Sequence, residues 1–189
     1  MGSDLQELYR RACERYGEHV HAIGEDQWAD STPCTEWDVR ALVGHLITEV
    51  AWVPPLVGGR SVADVGDELS GDLAGDDPAG SWDRYAPASI EAVVEPGAMD
   101  RTVRLTKREM PATDYVTEVF VDLLIHGWDL ARAIGADETL DPESVEIVYE
   151  RMKPHEAELN SAGVFGSHVD VPDGADLQTQ LLAVFGRTA

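Results

Sequence analysis

Leu5, Leu8, Ala12, Tyr16, Val20 and Ile23 recur three or four residues apart, the spacing that lines one face of an α-helix. Polar residues fill the other face, which predicts an outer bundle helix over about 4–23. Val39, Leu42, Leu46, Val50 and Val53 form a second stripe. Thr35 and Asp38 open that helix after the turn at Thr32-Pro33, and Pro54-Pro55 should close it near Val53, because helices seldom continue into proline. Trp82, Tyr85, Ile90 and Val93 mark a third helix from Ser81 to Glu95, stopped by Pro96-Gly97. Val116, Val119, Leu123, Leu130 and Ile134 mark a fourth over 114–134, with Gly135 at the usual C-terminal position. Asp141-Pro142 then opens a fifth, and Asp176 to Phe185 reads as a short closing helix.

The segments between these helices are less regular. Gly58 to Gly80 is rich in Gly, Asp, Ser and Ala without periodicity and predicts a long acidic loop. Thr102 to Thr106 alternates with period two, as one short extended piece would. A second Gly-rich loop falls around Gly163 to Gly166. No repeat or low-complexity linker divides the chain, so the pattern predicts an all-α bundle. The expected organisation is one domain over 1–189, with the bundle core at about 3–135 and a C-terminal extension at about 136–189.

Composition adds exclusions rather than chemistry. The net charge is −22, with two lysines, Lys107 and Lys153, among 14 basic residues. Such a field repels phosphate backbones and anionic lipid, which argues against nucleic-acid and membrane partners. No apolar run approaches the roughly 20 residues of a membrane helix, and the start MGSDLQELYRRA does not read as a signal sequence. A cytoplasmic protein is expected. Two cysteines, Cys13 and Cys34, make no disulfide framework. Cys13 reads as a core residue. Cys34, just before the second helix, reads first as packing and second as a reactive thiol.

The candidate chemistry lies in VDLLIHGWDLARA, where Asp122 and His126 stand four residues apart on one helical face. Asp129 continues that column as a further ligand, as an acceptor for an imidazole N–H, or as an ordinary charge. In the second helix, His45 sits at the edge of the apolar stripe. Alone it reads as a core-edge residue. Taken with Asp122 and His126, it completes two imidazoles and one carboxylate, enough to hold a divalent transition metal with open positions. Zinc suits that set best, with nickel and iron as alternatives. His19, His21, His155 and His168 share no useful spacing and are expected at the surface. Phosphate-loop, nucleophile-elbow and dinucleotide-binding motifs are absent.

The segments TPCTEWDVRALVGHL, DLLIHGWDLARA and LLAVFGR, in that order, resemble the DinB-like helical-bundle superfamily. Within it they resemble the mycothiol-dependent maleylpyruvate isomerase branch, and its shorter members in particular. The resemblance implies a four-helix bundle with short C-terminal helical additions and a metal at one end, held by residues matching His45, Asp122 and His126. The characterised isomerases have Glu where this chain has Asp122. The resemblance further implies mycothiol as cofactor in a metal-dependent enzyme that isomerises a small electrophile or transfers the thiol to it. A non-catalytic metal- or ligand-binding module and a metal-assisted hydrolase are the alternatives. A monomer or homodimer with small-molecule partners is expected.

Overall fold

The computed structural model describes residues 2–35, 37–155 and 169–189. These fall into two compact units, Met1–Ala136 and Asp137–Ala189. In the first, α1 (Gly2–His21), α2 (Val39–Val57), α4 (Pro78–Val94) and α5 (Ala112–Ile134) are the long helices, with a four-residue α3 (Val62–Val65) after α2. Their packing runs in a ring: α1 against α5, α5 against α2, α2 against α4, and α4 back to α1. The fold is an all-α four-helix bundle, as the periodicities predict.

The core follows from those stripes. Tyr9, Tyr16, Leu42, Leu46, Ile47, Phe120, Leu123, Ile125, Leu130 and Trp128 are all essentially inaccessible, and each large apolar side chain so buried contributes about 1.5–3 kcal/mol. The α5 helix is buried over most of its length and ends at Gly135, whose φ of 70° closes the last turn in the left-handed region. Asp38 caps α2 by accepting from the Ala41 N–H at 2.8 Å. Asp77 does the same for α4 through Gly80, with Pro78 in the first turn. That cap starts α4 three residues before the expected Ser81.

Two expectations need correction. The α2 helix does not stop before Pro54-Pro55 but runs on to Val57. The prolines delete two ladder hydrogen bonds, but Leu56 and Val57 beyond them are buried at 2% and 0% exposure, and that burial offsets the loss. The Gly58 N–H then bonds the Pro54 carbonyl and the Arg60 N–H that of Pro55, so the last turn is closed. His19, expected at the surface, is buried at 6% exposure, because α4 and α5 both pack on α1. His21 is exposed and meets Asp83 at 2.9 Å.

The stretch between α2 and α4 is more ordered than its composition suggests. Ser61 and Asp64 form a reciprocal cap on α3, and Arg60 pairs with Glu68 at 2.7 Å. Residues 102–111 form an antiparallel hairpin rather than a lone extended piece, β1 (Thr102–Arg104) against β2 (Glu109–Pro111) with Val103 opposite Met110. The second unit contains α6 (Pro142–Met152), opened by Asp141, and α7 (Leu177–Val184), opened by Asp176. Its core includes Val145, Val148, Leu181 and Phe185. His168 and the expected loop at Gly163 to Gly166 lie outside the described residues.

Candidate metal centre

The α2 and α5 helices run antiparallel, so residues climbing one helix meet residues descending the other. Moving along α5 from Asp129 to Asp122, the neighbours are Cys34, then Trp37, then His45. His45 Nε2 lies 3.6 Å from Asp122 Oδ2. The His45 and His126 rings meet edge-on at a centroid distance of 5.4 Å. His45 thus lies against both Asp122 and His126. His45 and Asp122 remain about a quarter exposed while His126 is almost closed off.

Each imidazole has its two nitrogens in different surroundings. His126 Nδ1 lies 2.9 Å from Asp129 Oδ2. With a proton on Nδ1 that contact is a hydrogen bond, and Nε2 keeps its lone pair for a Lewis acid. His45 Nδ1 faces Glu49 Oε1 at 4.0 Å, one turn along α2, while Nε2 faces Asp122. Burial raises the Glu49 carboxyl above its ordinary value; His45 opposes that shift, and the Asp122 and Glu118 charges add to it. Asp129 is completely buried, and a buried carboxylate is tolerated only with such partners.

The link between α1 and α2 lays its own residues on this site. Trp37 stacks at 4.7 Å on the His45 ring and 5.6 Å from His126. Cys34 Sγ stands 3.3 Å from Asp129 Oδ2 and 3.7 Å from His126 Nδ1. A tight turn holds both in place. Thr32 Oγ1 lies 2.8 Å from the Trp37 carbonyl and accepts from the Cys34 N–H, while the Trp37 N–H bonds the Cys34 carbonyl. Cys34, Trp37 and Glu49 were not selected from sequence. The available signals were the position of Cys34 and Trp37 within TPCTEWD, and the His45–Glu49 interval, which equals that of Asp122 and His126.

An open cleft of about 490 Å³ leads to His45, walled by Trp37, Gly44, Thr48 and residues 71–74. Arg40 stands in it, its guanidinium tied to Asp72 at 3.1 Å and to the Gly75 carbonyl at 2.6 Å. Among the described residues, the three donors whose ligand atoms all lie within 4.8 Å of one another are Cys34, His126 and Asp129 rather than His45, Asp122 and His126. Two ligands on one tetrahedral ion are about 3.3–3.4 Å apart for bond lengths near 2.0–2.1 Å, close to the His45–Asp122 separation.

A four-helix bundle whose facing helices gather imidazoles and carboxylates is the DinB-like arrangement. The chain belongs to the mycothiol maleylpyruvate isomerase N-terminal domain family, which it matches over residues 9–131. An uncharacterised protein of Mycobacterium tuberculosis, present in strains CDC 1551 and H37Rv, is 28% identical over 135 residues, covering 71% of this chain and 70% of its own. Among solved structures, a histidine-to-alanine variant of the mycothiol-dependent maleylpyruvate isomerase superposes with a TM-score of 0.63 at 14% identity. That match covers 88% of this chain and 74% of the other, and it shows the shared fold. Among the described residues, no helix is long and apolar enough to cross a membrane.

Proposed function

We propose that this protein is a metal-dependent enzyme that uses a low-molecular-weight thiol, mycothiol, to isomerise a small electrophile or to transfer the thiol to it. The observation that carries the reading is that His45 meets both other proposed ligands: its Nε2 lies 3.6 Å from Asp122 Oδ2 and its ring meets that of His126 edge-on at 5.4 Å, while Asp129 faces His126 Nδ1 at 2.9 Å. His45, Asp122 and His126 would hold the ion, with zinc preferred by two imidazoles and a carboxylate.

When bound, a dication at such a site lowers the pKa of a bound thiol or water enough to supply a nucleophile at neutral pH. The chain's own residues do the remaining work. Glu49 faces His45 Nδ1 as Asp129 faces His126 Nδ1, and such outer carboxylates fix ring orientation. Trp37 covers both imidazoles and keeps bulk water from that side. The cleft at Gly44 and Thr48 admits a small molecule, and Arg40 offers a cation to an anionic group that displaces Asp72. A cytoplasmic setting suits a protein that depends on a free thiol.

Elemental analysis of purified protein, followed by assay on maleylpyruvate and other electrophiles with and without mycothiol, tests the proposal. One transition-metal ion per chain and thiol-dependent turnover are expected. Thiol-independent hydrolysis would favour the hydrolase instead, and inactivity of metal-loaded protein across the panel would favour a binding module.

A further inference from the structure

Behind the His45–Asp122 face, Cys34 Sγ, His126 Nδ1 and Asp129 Oδ2 form a compact triangle with sides of 3.3, 3.7 and 2.9 Å. Those lengths resemble the edges of a tetrahedron around one ion, about 3.3–3.6 Å for nitrogen, oxygen and sulfur ligands at 2.0–2.3 Å. A point roughly 1.9 Å from all three atoms exists in their plane, so an ion displaced slightly from it reaches ordinary bond lengths. All three ligand atoms lie within 4.8 Å of one another.

A second observation concerns a neighbour of the triangle. Tyr16, 1% exposed, has a buried hydroxyl with no hydrogen-bond partner among the described residues. Its acidity is suppressed first by burial and then by the Asp129 and Cys34 charges, which places the hydroxyl within electrostatic reach of both. A buried hydroxyl left without a partner costs about 1–3 kcal/mol unless something completes its bonding.

We infer that Cys34, His126 and Asp129 form a second, interior cation site, suited to a soft ion such as zinc or cadmium. A thiolate, a carboxylate and a neutral imidazole around a dication sum to zero charge, the condition that burial demands. The thiolate selects against magnesium and calcium. On filling, the Cys34 thiol proton leaves to solvent and the His126 proton passes from Nδ1 to Nε2. That removes Nε2 from the outer set, so the interior and outer sites exclude one another and the chain binds one ion at a time. The inference rests on the outer reading only for this exclusion; the triangle itself does not need it.

Cadmium titration of the metal-free protein tests the site, read by the ultraviolet absorption of a cadmium–thiolate bond and by protons released. The outer site is removed by His45→Ala with Asp122→Ala. That variant should still take up one equivalent of cadmium, show the thiolate band and release about one proton. Adding Cys34→Ser should abolish the band and weaken uptake at least tenfold. Should the double variant fail to fold by circular dichroism, wild type and Cys34→Ser alone are compared in the same way. Cadmium uptake without a thiolate band, or no uptake by the folded double variant, overturns the interior site while leaving the proposed function standing. A thiolate band in protein that lacks thiol-dependent activity does the reverse.

Discussion

His45 Nε2 and Asp122 Oδ2 stand 3.6 Å apart across the α2–α5 interface, so the shorter carboxylate already sits at the separation expected of two ligands on one ion. An extra methylene would carry the carboxylate past that separation, toward the ion's place. Asp122→Glu should therefore weaken zinc binding by about tenfold, roughly 1.4 kcal/mol, and Asp122→Ala should weaken it further. Zinc titration of the metal-free variants against a competing chelator measures both. Tighter binding by Asp122→Glu would show that the site is not built around Asp.

The two thiols should react differently. Cys13 is 1% exposed and burial pushes its thiol far above the ordinary range, whereas Cys34 is only partly buried. Iodoacetamide under native conditions should label one site per chain, Cys34, and mass spectrometry should find Cys13 labelled only after denaturation. Zinc that occupies the interior site should also slow the first reaction.

Gly17 lies where α1 crosses Trp82. A Cβ there would stand 2.8 Å from the Trp82 Nε1 atom, and Trp82, itself 3% exposed, packs on Tyr16 at 4.7 Å. Gly17→Ala gains about 1 kcal/mol of helix propensity but overpacks the contact by about 1–3 kcal/mol. A net loss of stability in urea unfolding is expected, and an increase would mean that Trp82 moves without cost.

Tyr9 and Ser89 share a buried hydrogen bond of 2.5 Å between α1 and α4. Ser89→Ala leaves the Tyr9 hydroxyl without that partner in a place where both residues are inaccessible. The cost should be about 1–3 kcal/mol. Combining it with Tyr9→Phe should recover most of the loss, and thermal unfolding of the three variants would show whether it does.

The bundle was legible because α1, α2 and α5 write their buried faces into local spacing, and because Asp141, Asp176 and Gly135 mark helix ends by short-range chemistry. Pro54-Pro55 misled for a reason no local rule contains: whether a helix outlasts two prolines depends on what Leu56 and Val57 bury against. His19 misled in the same way, since its burial comes from two helices that arrive later in the chain. The site divides similarly. Asp122 and His126 could be paired from spacing within α5, whereas His45 stood out only in combination with them and through the family resemblance. Cys34, Trp37 and Glu49 matter because α2 and α5 run antiparallel in one register, and register between helices is a property of packing rather than of either sequence segment.

In the ring of helices, α1 and α2 occupy opposite corners, so the described residues of the α1–α2 link, 22–35 and 37–38, cannot take a short turn between neighbours. They cross the bundle beside α5, where the Gln27 amide holds the Ile134 carbonyl at 3.1 Å, and they deliver Cys34 and Trp37 onto the imidazoles. One stretch of chain is therefore both the topological link and a wall beside the two imidazoles. Ordinary surface connections tolerate insertions cheaply, but here added length would unseat Trp37 before it altered any helix. The crossover should therefore accept substitution more readily than insertion.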